Sequence, residues 1–137
     1  MIKLKIHHFG LVVNSIKDSL GELSNFLTFE KKTISNYIDS QRVNVCFINF
    51  GEIKIELIEP AEKKSPVSNF LEKGGGFHHI CFEVTNISKS IDEFIQKGAR
   101  LIVSPTIGFD NNKIAFLFLN MKKTNCNLIE LVELKND

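Results

Sequence analysis

The 137-residue chain has no tryptophan, one tyrosine, three prolines and three cysteines, and it carries almost no excess of charge. Each shortage excludes something. Three cysteines (Cys46, Cys81 and Cys126), none in a C-x-x-C pair, cannot make a disulfide framework, and they fit a reducing cytoplasm. All three are expected to be small buried hydrophobes, with a nucleophile as the lesser alternative for Cys81. A net charge of +1 gives no field that would gather nucleic acid or an anionic membrane, and the pairs Lys31-Lys32, Lys63-Lys64 and Lys122-Lys123 read as solvated surface. No apolar run approaches the roughly 20 residues that cross a bilayer. The amino terminus enters a strand-like stretch directly, without a signal-peptide layout. The expected partner is therefore neither nucleic acid nor membrane. With 43% hydrophobic and 24% charged residues, the composition suits one soluble domain, 1–137, with its own core.

What the chain does have is repetition. Its four histidines occur as two pairs, His7-His8 and His78-His79. An acidic stretch follows each: Ile55-Glu56-Leu57-Ile58-Glu59 after the first, Ile129-Glu130-Leu131-Val132-Glu133 after the second. From His8 to Glu56 is 48 positions (56 − 8), and from His79 to Glu130 is 51 (130 − 79). Two copies of one motif at nearly one spacing mark an internal duplication. Aligning the pairs gives an offset of 71, which matches Ile16 with Ile87 and Leu20 with Ile91. The offset is 74 at the last strand, so the second copy is read as gaining three residues in its middle loops.

Local patterning gives each copy the order β-α-β-β-β. In the first, 1–60, strands are expected at 3–13, 31–38, 42–50 and 53–59. A helix capped by Asn14 or Ser15 has the stripe Ile16, Leu20, Leu23 and Leu27. A linker, 61–76, holds a short helix from Ser65-Pro66 to Lys73 and ends in Gly74-Gly75-Gly76. In the second copy, 77–137, strands are expected at 77–85, near 100–103, at 113–119 and at 127–134. The helix begins at Asn86, has the stripe Ile87, Ile91, Phe94 and Ile95, and stops at Gly98. Residues 105–112 read as a loop. The fold class is thus α+β, two tandem βαβββ modules whose curved mixed sheets form a cleft.

Strand parity decides which side chains can meet. His8 shares a face with Gly10 and Val12, and His79 with Cys81 and Glu83. If Ile55 and Leu57 pack against the helix, Glu56 points to the concave side, and Glu130 does likewise. Glu59 and Glu133 are taken to share that inward direction nearer the strand ends. His7 and His78 are read as packing residues or as supports for the ligands. Singly, each residue has a plainer reading, a hydrogen-bonded packing histidine or a solvated glutamate. Two inward glutamates on otherwise apolar strands are costly unless paired or liganded. Together His8, Glu56, His79 and Glu130 make a competent N/O ligand set for a divalent ion such as Zn, Co, Mn, Ni or Fe(II).

On these stretches the chain resembles the vicinal oxygen chelate superfamily, which includes glyoxalase I, extradiol dioxygenases, antibiotic-resistance binding proteins and methylmalonyl-CoA epimerase. It is most similar to the epimerase branch in His7 to Val13, Ile53 to Pro60, Ser65-Pro66-Val67 with Phe70 to Lys73, Gly76 to Val84, and Leu128 to Leu131. The resemblance implies metal ligands at His8, Glu56, His79 and Glu130, with the metal one of Zn, Co, Mn or Ni. It implies Glu130 as catalytic base, with Glu56 second, and a metal-dependent isomerase that stabilises an enolate of an acyl-CoA thioester. A small-molecule thioester is then the substrate and a homodimer the assembly. A glyoxalase I-like lactoylglutathione lyase would use the same parts, and a non-catalytic small-molecule-binding member would keep only the fold. Two departures from the epimerase pattern bear on acyl-CoA specificity. Asn120 to Cys126 stands where epimerases have His-Pro-Lys and glycines, and Asn44-Val45 where some place an acid.

Overall fold

On each strand that carries one of the four ligand-type residues, the apolar side chains that meet a helix lie on the other face. The structure, a computed structural model, describes residues 4–31, 33 and 35–135. In chain order the elements are β1 (Lys5–Val12), α1 (Ile16–Ser24), β2 (Glu30–Lys31), β3 (Asn36–Ile38), β4 (Val43–Phe50), β5 (Ile53–Pro60), α2 (Ser68–Glu72), β6 (Gly76–Val84), α3 (Ile87–Gln96), β7 (Arg100–Ile107), a single 3-10 turn (Phe109–Asn111), β8 (Lys113–Phe118) and β9 (Leu128–Glu133). This is the expected α+β fold of two βαβββ repeats. The described residues pack as two units, one of His8–His78, the other joining the 1–7 stretch to 79–137. Each unit boundary falls inside a histidine pair.

In the first unit, β1 runs parallel to β5, with Phe9 beside Ile55, Gly10 beside Glu56 and Leu11 beside Leu57. β4 lies antiparallel on the other side of β5, and β2 and β3 both pair with β4. Ile16 of α1 packs on Cys46, Ile48 and Leu57, with Leu11, Leu20, Leu23 and Ile55 around them. In the second unit β6 runs parallel to β9, β9 antiparallel to β8, and β8 antiparallel to β7. Ile87 and Ile91 of α3 pack on Ala115, Leu117, Ile129 and Leu131. The alternation leaves Glu56 and Glu130 on the face away from the helices, as parity requires.

Several expectations are corrected. Helix α1 ends at Ser24, short of Leu27, which is exposed along with Phe26. Gly21, Ser24 and Asn25 are poor helix formers, and the Ser24 hydroxyl donates to the Gly21 carbonyl in competition with the backbone ladder. Helix α2 begins at Ser68 rather than at Ser65-Pro66. The strand expected at 31–38 is two short strands, because the register against β4 shifts by two residues between Lys31–Ile48 and Asn36–Val45. Thr33 fills the gap: its hydroxyl accepts the Phe47 N–H at 3.0 Å and its carbonyl accepts the Cys46 thiol at 3.1 Å. Strand β7 continues through Pro105 to Ile107 where a loop was expected. It is the outer strand of its unit and is bulged on both sides of Val103, so proline removes no needed ladder bond there.

Gly75 has φ +67, and a Cβ there would stand 2.8 Å from the Val12 carbonyl oxygen, so the chain can pass β1 at this point only as glycine.

The expected inward direction of Glu59 and Glu133 is wrong. Each stands three residues after its ligand-type glutamate, an odd spacing, and so faces the helix side. Glu59 Oε1 accepts the N–H of Ile16 at 3.2 Å, and Glu133 Oε2 accepts that of Ile87 at 2.8 Å. These are the first residues of α1 and α3. Ser15 and Asn86 cap the same two ends by accepting the N–H groups of Asp18 and Lys89. Each helix start therefore meets a carboxylate from the last strand of its own repeat, which also complements the helix dipole. Glu59→Gln and Glu133→Gln should each lower unfolding stability by about 1 kcal/mol while keeping the fold. Urea titrations followed by circular dichroism check this; wild-type midpoints in both would remove the anchoring role.

Candidate metal centre

The four ligand-type residues form two matching pairs, one in each unit. In the first unit His8 comes from β1 and Glu56 from β5. His8 shares its face with Gly10, whose neighbour across the parallel pairing is Glu56. His8 Nε2 lies 3.3 Å from Glu56 Oε1, and the side chains are 0% and 5% exposed. Phe47 of β4, paired with Glu56, sets its ring edge-on to the His8 imidazole at 5.1 Å and 78°.

The second unit repeats this closely. His79 of β6 shares its face with Cys81, whose neighbour is Glu130 of β9. His79 Nε2 lies 3.1 Å from Glu130 Oε1, with the side chains 2% and 5% exposed. Phe116 of β8, paired with Glu130, stands edge-on to the His79 ring at 5.2 Å and 85°.

Chemically, each pair presents an imidazole nitrogen and a carboxylate oxygen side by side in an enclosed place. Burying an ionised carboxylate costs several kcal/mol unless a charge-assisted partner meets it. A histidine N–H supplies one partner, and a divalent ion would supply a stronger one, with both atoms as ligands. The donor types fit a borderline cation, with no thiolate among the four.

Phe47 and Phe116 were not anticipated. The signal was present: Val45-Cys46-Phe47 and Ile114-Ala115-Phe116 are equivalent apolar triplets, offset by 69. From His8 to Phe47 is 39 positions (47 − 8), from His79 to Phe116 only 37 (116 − 79). From Phe47 to Glu56 is 9 (56 − 47), from Phe116 to Glu130 it is 14 (130 − 116). The second copy thus loses two residues before β8 and gains five in the β8–β9 loop, rather than simply gaining three. A search at the constant offset of 71 pairs Phe47 with Phe118 (47 + 71) instead of Phe116 for that reason.

The other histidines pack on aromatic rings, His7 on Phe109 and His78 on Phe70, both at 4.9 Å between ring centroids. Cys46 and Cys81 are buried and in no disulfide among the described residues, as expected, whereas Cys126 is exposed in the β8–β9 loop, where the inserted residues have no core to enter. No helix among the described residues is long and apolar enough to cross a membrane.

Residues 7–116 match the pattern of the glyoxalase/bleomycin resistance protein/dioxygenase superfamily. The chain is 38% identical to the uncharacterised protein YqjC of Bacillus subtilis over 97% of its own length and 94% of that protein. It is 35% identical to the ethylmalonyl-CoA/methylmalonyl-CoA epimerase of Cereibacter sphaeroides over 93% of its length and 96% of that enzyme. Among solved structures it superposes on a hypothetical protein from Bacillus halodurans with a TM-score of 0.86, at 34% identity, covering 98% of this chain and 97% of that one.

Proposed function

Because the chain belongs to the glyoxalase/bleomycin resistance protein/dioxygenase superfamily, we propose that it is a metal-dependent epimerase of an acyl-CoA thioester, of the methylmalonyl-CoA kind. The observation that carries the reading is the pair of buried His–Glu contacts, His8 with Glu56 and His79 with Glu130, each walled by a phenylalanine edge. In this reading the four residues together hold one divalent ion, Zn, Co, Mn or Ni. The similarity to an enzyme named for ethylmalonyl-CoA and methylmalonyl-CoA supports the substrate class.

When bound, the ion supplies Lewis-acid polarisation of the thioester carbonyl, which acidifies the neighbouring C–H. The protein residues do the rest. Glu130 takes the α-proton with one carboxylate oxygen, leaving an enolate. Inversion needs a proton delivered to the opposite face by a second acid, for which the carboxyl of Glu56, when protonated, is the candidate. Glu130 then loses its proton and Glu56 regains one by exchange with water. Glu56 is the second candidate for the base. The burial of both carboxylates keeps bulk water from quenching the enolate before the proton comes back. With Nε2 of His8 and His79 given to the ion, the edges of Phe47 and Phe116 would fix the two rings, so the ligand set is held in place rather than sampling rotamers. Glyoxalase I-like chemistry on a glutathione hemithioacetal would use the same base and ligands. The two buried His–Glu pairs favour an enzyme over a purely binding member. The protein is further read as cytoplasmic, in keeping with cysteines that form no disulfide among the described residues, and as a homodimer.

The deciding experiment is proton–deuterium exchange at the α-carbon of methylmalonyl-CoA in D₂O, run beside a methylglyoxal–glutathione assay. Exchange without lactoylglutathione formation is the expected result, and the reverse pattern selects the lyase. His8→Ala and His79→Ala should each lose the bound metal while circular dichroism stays native. Elemental analysis giving wild-type metal in both would remove the ligand assignment. Glu130→Gln keeps an oxygen ligand but not a basic carboxylate, so it should retain metal and lose exchange by ~10²-fold or more, with Glu56→Gln losing less. The opposite ranking would move the base to Glu56. Sedimentation at micromolar concentration should give twice the chain mass; the mass of a single chain would contradict the dimer.

A further inference from the structure

The second unit has a feature that the first does not repeat, a strained turn that buries an aromatic ring. Between β7 and β8 the chain runs Gly108-Phe109-Asp110-Asn111-Asn112. Asp110 and Asn111 both lie in the left-handed region, at φ 51 and 57, where residues with a side chain rarely follow one another. Three hydrogen bonds hold them there. The Gly108 N–H donates to the Asn112 carbonyl at 2.9 Å, the Asn112 N–H to the Phe109 carbonyl at 3.0 Å, and the Lys135 N–H to Asn112 Oδ1 at 3.1 Å. The strain is spent on burial, since Phe109 is 2% exposed although it sits in a turn. The matching turn of the first unit, 39–42, buries none of its residues.

Two neighbours place the turn. A Cβ on Gly108 would stand 2.5 Å from Ile114 Cγ1, so the backbone lies directly on that side chain. Ala115 and Leu117 of β8 pack under α3, so Ile114 and Phe116 face the other way, the side of Glu130. The Phe109 ring meets the ring of His7, the last β1 residue of this unit, at 4.9 Å. In the sheet, β9 and β6 stand between β8 and β1. The turn therefore bends over the inward face. Beneath it Thr106, Ile114, Val132 and Glu83 form one row across β7, β8, β9 and β6. Ile114 and Val132 are fully buried, and the Glu83 carboxylate at the edge lies 3.9 Å from the Lys5 ammonium. The neighbouring row is Val103, Phe116, Glu130 and Cys81. Rows on one face are about 6.6 Å apart along a strand; less roughly 4 Å of van der Waals contact, about 3 Å remains beyond Glu130, the length of about two carbons. The floor of that space is apolar, and the Glu83 carboxylate disfavours a second one beside it. An alkyl group suits it better than the carboxylate of an acyl group.

We propose that Phe109 sets the length of the alkyl substituent on the carbon that Glu130 deprotonates: methyl and ethyl enter, and longer chains are excluded. The inference rests on the thioester reading above and deepens it by naming the class of substituent. Phe109 is a specificity-determining residue that acts by filling space, so the ring needs no exposed surface and touches no reacting atom.

The test uses the coenzyme A thioesters of methyl-, ethyl- and butylmalonate. Binding is read by calorimetry on the protein as purified, and exchange of the α-proton in D₂O is read separately. Wild type should take the methyl and ethyl compounds within ~10-fold of each other and the butyl compound ~10²-fold less well. Phe109→Ala should bring the butyl compound within ~10-fold of the methyl one. Phe109→Leu removes less of the core, keeps the fold by circular dichroism, and should move the preference the same way by a smaller factor. A structural role alone would lower all three compounds equally in both variants, and that result would overturn the proposal. Wild type binding the butyl compound as well as the methyl one would do the same. The expected order of binding without any exchange would fall on the epimerase reading and leave the length limit standing. No binding of any of the three would overturn both.

Discussion

Two carboxylates, Glu56 and Glu130, are buried where the remaining strand residues are apolar, and most of the local architecture follows from keeping them there. An ionised carboxylate out of water needs a cation or several donors close by. Each has a histidine Nε2 within about a hydrogen bond's length, and each histidine is steadied by the edge of a phenylalanine on the next strand. The parallel pairing of the first and last strand of a repeat sets this up. It aligns the residue two beyond the histidine with the glutamate, so the two side chains reach each other across one interstrand gap.

The same last strand does a second task with its other face. Three residues after the buried glutamate, Glu59 and Glu133 turn to the helix side and receive the first N–H of the repeat's helix. One strand thereby fixes both the inward carboxylate and the start of the helix behind it. The spacing of three in Ile-Glu-Leu-Ile-Glu and Ile-Glu-Leu-Val-Glu lets one short stretch serve two layers. A spacing of two or four would have put both acids on one side.

How much of this could be read from residues alone depends on whether a feature is local or relational. The histidine pairs, the Ile-Glu-Leu strands, the helix caps at Ser15 and Asn86 and the side taken by Glu56 all follow from periodicity, and the fold shows them. Glu59 was misjudged because its acidity was weighed before its odd spacing. The break between β2 and β3 depends on a threonine hydroxyl replacing a ladder bond, and nothing in 31–38 announces that. The passage of β7 through Pro105 depends on its being an outer strand, which is a property of the sheet. Phe47 and Phe116 were hidden by compensating length changes.

The doubled histidine has a consequence for how the strands find their register. Neighbouring residues of a strand face opposite ways, so a slip of one position in β1 would put His7 where His8 belongs, and a slip in β6 would do the same with His78 and His79. An imidazole would face inward either way, and the histidines therefore contribute little to choosing the correct pairing. The glutamates are single, each between two apolar residues. Slipping β5 or β9 by one would turn Leu57 or Leu131 inward and drive the carboxylate into the apolar layer under the helix, a loss of several kcal/mol. Correct assembly is thus proofread by the acids, and a newly made chain is most vulnerable to mispairing where a substitution makes Glu56 or Glu130 apolar, with folding yield suffering before any chemistry is asked of it.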